Sequence, residues 1–310
     1  MAQFREPQVD PTDIKLLRVF MKVVECGGFA GAQAELNISA PTLSTQMATL
    51  ESRLGMRLCD RGRIGFRLTD KGKRVYSAAQ RLETALNEYR ADVGALRGRL
   101  VGEMHLGIVD STVTNPDMRT SAALGAFCRR DHAVHVTMHV AEPAVIEKRL
   151  LDGSLHVGIS AFYHHAPGLV YRPLFEETHS LYYGRDHPLF EKRPDEVSEE
   201  EVRRHPYVAR GYLINRTTGA TAGMNAAATA FDMEATLTML RSGAFIAHLP
   251  DHYARPWIEQ GELRPVMHEI FTFSSRFEFA IRRGTSDVRV VNAFIKDLCT
   301  AHGVDAAFEE

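Results

Sequence analysis

Between Asp13 and Leu54, apolar residues fall at helical spacing three times, and the interruptions are too short for anything but tight turns. Leu16, Leu17, Phe20, Val23 and Val24 mark an amphipathic helix over Asp13–Cys26, with Thr12 placed to cap it and Gly27-Gly28 to stop it. Phe29 and Leu36 flank a second, short helix, Ala30–Leu36. Asn37-Ile38 leaves room only for a turn. Ser39 is a good N-cap, and Pro41 sits in the first turn, where its missing N–H costs little. Leu43, Met47, Leu50 and Leu54 then form the buried stripe of a third helix that ends at Gly55. Two short helices joined in this way, the second well capped, make a helix-turn-helix.

The next residues narrow that reading. Arg57–Leu58, the turn Arg61-Gly62-Arg63 and Gly65–Leu68 read as a hairpin, a wing tipped with arginines. Arginine there suits the narrow minor groove of DNA, where negative potential is focused. The charge distribution agrees. The 310-residue chain carries a net −2, yet Arg53–Arg74 holds eight basic residues against Asp60 and Asp70. Such a block fits a phosphate footprint, although a solvated basic face has the same composition.

From Lys71 onward Val75, Ala79, Leu82, Leu86, Tyr89, Val93, Leu96 and Leu100 are separated by alternating steps of four and three, the a/d seam of a coiled coil. About 27 helical residues span roughly 40 Å. Alone, such a seam would be wet. The expected partner is the same helix of a second subunit, giving a homodimer through 71–98; packing on its own C-terminal part is the alternative. A dimer sets two recognition helices on two half-sites of double-stranded DNA, so a partly palindromic site follows.

Leu16-Leu17-Arg18-Val19-Phe20, Gly28-Phe29-Ala30, Ile38-Ser39-Ala40-Pro41-Thr42-Leu43-Ser44, Leu50-Glu51, Leu54-Gly55-Met56-Arg57-Leu58 and Arg67-Leu68-Thr69-Asp70-Lys71-Gly72 follow one another in an order that resembles the DNA-binding domain of LysR-type transcriptional regulators. Departures matter. The family often has glutamine where Ala40 stands and basic residues where Thr45 and, nearby, Ala48 stand. Bidentate arginine–guanine readout is therefore missing from the N-terminal half of the recognition helix. The expected DNA contacts are Ser39, Ala40, Pro41, Thr42, Ser44, Thr45 and Gln46 on the helix, through hydroxyls and thymine-methyl contacts, with Arg61 and Arg63 in the wing.

Beyond Gly98-Arg99 the pattern changes to a strand at Met104–Val109, a helix at Pro116–Arg130 with Asn115 as its cap, a strand at Val134–Val140, a helix at Ala144–Asp152 and a strand at Leu155–Ile159. This β-α-β-α-β order predicts an α/β unit with a parallel sheet. Strands at Val170–Leu174 and Ser180–Gly184 lead into a second lobe, with helices at Ser198–Arg204, Asp232–Arg241 and Pro250–Glu259 and strands at Tyr207–Ala209 and Phe245–Leu249. Phe273–Ile281 and a helix at Ser286–Ala301 close the chain. Asp186-His187-Pro188-Leu189 and Ser242–Pro250 resemble the LysR-type effector domain, which is itself similar to type II periplasmic binding proteins. The expected division is 1–70 for the winged helix-turn-helix, 71–98 for the linker helix and 99–310 for a two-lobed effector domain, with lobe I at 99–173 and 279–310 and lobe II at 174–278. The resemblance further implies tetramers built as pairs of dimers.

Ligands of open α/β sheets bind at the carboxyl ends of strands. Those ends hold Ser111 and Thr112, Glu142, Phe162 and Tyr163, Arg210 and Tyr212, and His248. Ser111-Thr112 before a helix N-terminus favours an anion, Arg210 can pair with a carboxylate, and the aromatics can wall an apolar site. The expected effector is a small organic acid, aromatic or not. His164-His165, His135 with His139, and His248 with His252 lack a well-spaced third ligand, so no metal is expected. Cys26, Cys59, Cys128 and Cys299 are scattered and read as buried or inert thiols. With neither a long apolar run nor a signal-like start, the chain is expected in the cytoplasm without a membrane. Two other functions stay open. One is an α/β enzyme using Cys128 or Cys299, although nucleophile-elbow, P-loop and dinucleotide motifs are lacking. The other is a non-specific architectural DNA protein, which would not need the two-lobed half.

Overall fold

The computed structural model describes residues 10–62, 65–95, 100–193, 196–213, 219–285 and 288–305. The chain divides into two compact units, one running to Tyr89 and the other from Arg90 on, with Asp152–Ser154 grouped with the first.

The first unit opens with α1 (Pro11–Glu25), α2 (Phe29–Leu36) and α3 (Ala40–Leu54). The cap of α1 is Asp10, not Thr12. Asp10 accepts from the Thr12 and Asp13 amides while Asp13 accepts from the Asp10 amide, a reciprocal box that Pro11 in the first turn pre-organises. Asn37, in the left-handed region at φ 51°, makes the sharp exit from α2. Ser39 caps α3 and Gly55 closes it, also left-handed. Leu16, Phe20, Val23, Leu43, Met47 and Leu50 are buried together as the three helical stripes require. The wing is β1 (Cys59–Gly62) against β2 (Gly65–Leu68), antiparallel. Next comes α4 (Asp70–Ala95). Its Val75 and Tyr76 pack on the helical core, whereas Tyr89 is 67% exposed and Val93 39% exposed. Leu96 lies outside the described residues. Leu100 does not continue the helix: it begins β3 (Leu100–Ile108), where a parallel partner claims its backbone.

The second unit is α/β. β3, β4 (His132–Val140) and β5 (Val157–Ser160) run parallel in the order β4-β3-β5, joined by α5 (Thr120–Cys128) and α6 (Pro143–Leu151). β6 (Leu169–Gly184) is one strand of 16 residues where two separate strands were expected. It pairs antiparallel with β11 (Phe273–Arg282) over its first part and with β9 (Ile246–Pro250) over its last. These two long strands carry the sheet from lobe I into lobe II. There β9 is followed by β7 (Pro206–Arg210) and β8 (Asn225–Ala230), and β10 (Leu263–Pro265) pairs with β6. β8 and β10 are absent from the sequence reading. Asn225–Ala230 is mostly alanine and exposed, with no apolar alternation to mark it. α7 (Glu199–Arg204), α8 (Met233–Arg241) and α9 (Asp251–Glu259) cover lobe II, and α10 (Arg289–His302) packs with α5 on lobe I. Buried clusters lie on both faces of the sheet in each lobe.

Candidate DNA-reading helix and ligand cavity

Ser39, Ala40, Pro41, Thr42, Thr45, Ala48 and Thr49 are all exposed on α3. Their hydroxyls are partly committed. Ser39 Oγ and Thr42 Oγ1 lie 2.8 Å apart at the cap, Thr45 donates to the Pro41 carbonyl and Thr49 to the Thr45 carbonyl. With their hydrogens spent inside the helix, Thr45 and Thr49 retain acceptor capacity and a methyl group for a base edge. Ser44 is half-buried. Gln46 is half-buried too, and its Oε1 is buried with no hydrogen-bond partner among the described residues. Arg63 lies outside the described residues, and only the backbone of Arg61 is described, in β1 opposite Phe66.

The basic block is less available than its composition suggests. Arg53 is clamped by Asp13 at 2.5 and 2.9 Å and by Asp10 at 2.6 Å, tying the end of α3 to the start of α1. Lys73 pairs with Asp70 at 2.9 Å. Arg67, Lys71 and Arg74 are exposed.

In the second unit a cavity of about 840 Å³ is lined by Phe162, Tyr163, Arg210 and His248 from the expected set. Arg210 and Tyr163 also line a small cavity of about 20 Å³, together with Tyr212, Asp110, Glu177 and His179. Ser111, Thr112 and Glu142 line neither. The helix expected from Pro116 begins only at Thr120, so Ser111-Thr112 do not sit at its N-terminus, and its cap position is Arg119, not Asn115. Thr112 is instead buried in a turn whose carbonyl accepts from the Asn115 amide.

Arg210 is 7% exposed, at the end of β7. It donates to His179 Nδ1 at 3.1 Å, to Tyr212 Oη at 3.4 Å and to Met233 Sδ at 3.4 Å, and its Nε has no partner. None of these acceptors is a carboxylate, and an ion-pair partner for Arg210 is absent among the described residues. His248 is held as a neutral ring: Tyr207 Oη donates to its Nδ1 at 3.0 Å and its Nε2 donates to the Phe271 carbonyl at 3.0 Å. Burial, then the Arg210 charge, depress its pKa to about 3. Tyr163 and Tyr212 stack with ring centroids 6.3 Å apart.

The sequence missed Tyr207, Phe273, Ser275, Glu278 and the histidine pair His164-His165 as cavity residues. His165 Nε2 lies 2.7 Å from the buried Glu278 carboxylate. The rule of strand carboxyl ends applies to parallel strands. β11 runs antiparallel, so its amino-terminal half, from Phe273 to Glu278, lines the cavity, and the strand-end rule does not select it.

The helical wing unit matches the model of the bacterial regulatory helix-turn-helix protein, lysR family, over residues 14–73, and the LysR substrate binding domain matches residues 97–301. The HTH-type transcriptional activator BauR of Pseudomonas aeruginosa is 39% identical over 96% of this chain and 98% of its own. The SDS degradation transcriptional activation protein of a Pseudomonas species is 30% identical over 63% of each chain. Among solved structures, CbnR, a LysR family transcriptional regulator, aligns with a TM-score of 0.65 at 20% identity, over 93% of this chain and 99% of that one. Full-length CbnR complexed with its target DNA gives 0.64. The chain belongs to the LysR family of transcriptional regulators. It is a DNA-binding regulator with a small-molecule effector domain, and not an enzyme. No helix among the described residues is long and apolar enough to cross a membrane.

Proposed function

We propose that this regulator is controlled by a small organic anion whose carboxylate pairs with Arg210 in the large cavity, with Phe162, Tyr163, Tyr207 and Phe273 as its apolar and aromatic walls. One observation carries the reading: a guanidinium buried to 7% exposure faces a cavity, and every side chain it donates to is neutral. Burying a guanidinium with no carboxylate in contact is costly, and a ligand carboxylate supplies a bidentate partner. Ser111, Thr112 and Glu142 are not part of this site.

On DNA, α3 and the wing read half-sites of a partly palindromic promoter in the cytoplasm, with two subunits joined through the helix at 71–98 and pairs of dimers forming a tetramer. The division at 70 and 98 is the functional one: reader, connector, and sensor from 99 to 310. Effector binding shifts the population of subunit packings and with it the spacing of the heads.

A thermal-shift screen of small carboxylates, amines and neutral compounds tests the effector reading. Carboxylates are expected to raise the Tm of the wild type and to lose that effect in Arg210→Gln. Stabilisation by amines or neutral compounds alone, or undiminished stabilisation of the variant, sinks it.

A further inference from the structure

Six side chains run from the cavity wall to the connection between β3 and α5, joined by hydrogen bonds and by one close nitrogen–oxygen contact. Arg210 donates to His179 Nδ1 at 3.1 Å. Because that nitrogen accepts, the neutral ring carries its proton on Nε2, which lies 3.0 Å from Glu177 Oε2, a close contact that is out of hydrogen-bond alignment. The other oxygen of Glu177 accepts from Asn115 Nδ2 at 2.9 Å and from His252 Nε2 at 2.8 Å. His252 Nδ1 then accepts from Thr114 Oγ1 at 2.8 Å. Glu177, His179 and Arg210 are 5%, 1% and 7% exposed.

Their places in the fold give the line its meaning. Glu177 and His179 sit on β6, the strand shared by both lobes. Thr114 and Asn115 belong to lobe I, and His252 to the first turn of α9 in lobe II. One carboxylate thus holds a loop of one lobe and a helix of the other, one imidazole away from the cation in the cavity wall. The line contains one formal anion and one formal cation, and in a buried site such charges are felt more strongly than in water. Glu177 is the internal counter-charge of Arg210. A ligand carboxylate on Arg210 takes over that role and changes the pull on the carboxylate that bonds Asn115 and His252.

We propose that Glu177 and His179 are positioning residues that tie the charge on Arg210 to the bonds of Asn115 and His252, so that filling the cavity is felt where the two lobes meet. The proposal rests on the reading of Arg210 as the effector's anchor, but its test needs no effector.

Hydrogen exchange on the full chain provides that test. In Arg210→Gln the amides of residues 112–118 and 251–255 should exchange at least fivefold faster, although Arg210 donates to neither segment. Glu177→Gln should give the same acceleration, and the double variant should add nothing further. Arg276→Gln lines the same cavity but pairs with Glu176, and should leave both segments unchanged. Unchanged exchange in Arg210→Gln, additive effects in the double variant, or equal acceleration in Arg276→Gln overturns the proposal. A measurement on the wild type covers variants that fail to fold: nitrogen NMR should find His179 protonated on Nε2 alone, and an Nδ1-protonated ring overturns the line. If carboxylates fail to bind while the exchange coupling holds, the effector reading falls and the relay stands.

Discussion

Four buried histidines are held neutral by burial, and each has a second cause; His187 is pushed down to about 4 by burial and then by His205. His156 is pushed down to about 4 by burial and then by His105, His179 to about 4 by burial and then by Arg210, and His248 to about 3 by burial and then by Arg210. Their folded pKa values lie below the unfolded value near 6.5. Between about pH 6.5 and 4 the unfolded chain therefore binds protons that the folded chain refuses, and stability falls as pH drops through that window. Each site contributes on the order of 3 kcal/mol of that loss by its lower end. Glu177 works in the next window down. Burial alone would raise its carboxyl, but donors from His179, His252 and Asn115 outweigh that and lower it to about 2, so its contribution is lost only as pH falls from about 4.5 towards 2. Melting of the wild type from pH 7.5 to 4.5 should show a steep fall below pH 6.5. His248→Gln, which can keep one donor and one acceptor, should lower the Tm at pH 7.5 and make the acid fall shallower. A flat wild-type profile, or an identical slope in the variant, would count against this account. None of these environments was legible in the sequence. The position of His248 at a strand end marks it as a site residue, whereas its neutrality comes from burial and from Arg210, which is distant in the chain.

At the scale of elements, the winged unit was readable because its signals are local: apolar stripes, Ser39 and Pro41 opening α3, glycines closing helices. One of its motif glycines has a cause that only the fold reveals. A Cβ on Gly72 would stand 1.9 Å from the Leu58 carbonyl oxygen, so the first turn of α4 sits directly against the entry to the wing. Thr69 reinforces that joint, donating to the Arg57 and Leu58 carbonyls and accepting from the Gly72 amide. Gly72→Ala should overpack this joint and cost about 1–3 kcal/mol, read as a lower midpoint for the first unit and faster exchange over residues 58–72. Gly55→Ala offers a contrast. Nothing lies within 4 Å of its Cβ, yet φ is +63°, so the penalty is conformational, about 1 kcal/mol. Equal tolerance of Gly72→Ala and wild type would remove the steric account. In the second unit the local signals misled wherever pairing across the sheet decides. Val170–Leu174 and Ser180–Gly184 read as two strands because polar Glu176, Glu177 and Thr178 separate them. β11 nonetheless pairs through that gap, and the strand is continuous.

For the whole molecule, the open question is what covers the outer half of α4. The seam read from alternating steps of four and three holds up unevenly. Val75 and Ala79 are used within the subunit, Leu82 and Leu86 are half-buried, and Tyr89 and Val93 are left exposed at 67% and 39%. A seam that is satisfied at one end and open at the other fits a helix that docks on its own head first and on a second copy further along. Burying a tyrosine and flanking aliphatic residues there would contribute several kcal/mol to association. The consequence for DNA follows from linkage of the two heads. One head with a nearly uncharged recognition helix and an internally clamped Arg53 grips weakly, and two heads on adjacent half-sites gain effective concentration. Leu86→Glu with Tyr89→Glu should therefore convert the oligomer to smaller species in sedimentation. It should weaken binding to a selected two-half-site fragment at least tenfold while leaving binding to a single half-site unchanged. An oligomer that persists in the double variant would mean that the seam is not the joint, and a parallel loss on the single half-site would mean that the substitutions damaged the reading head itself.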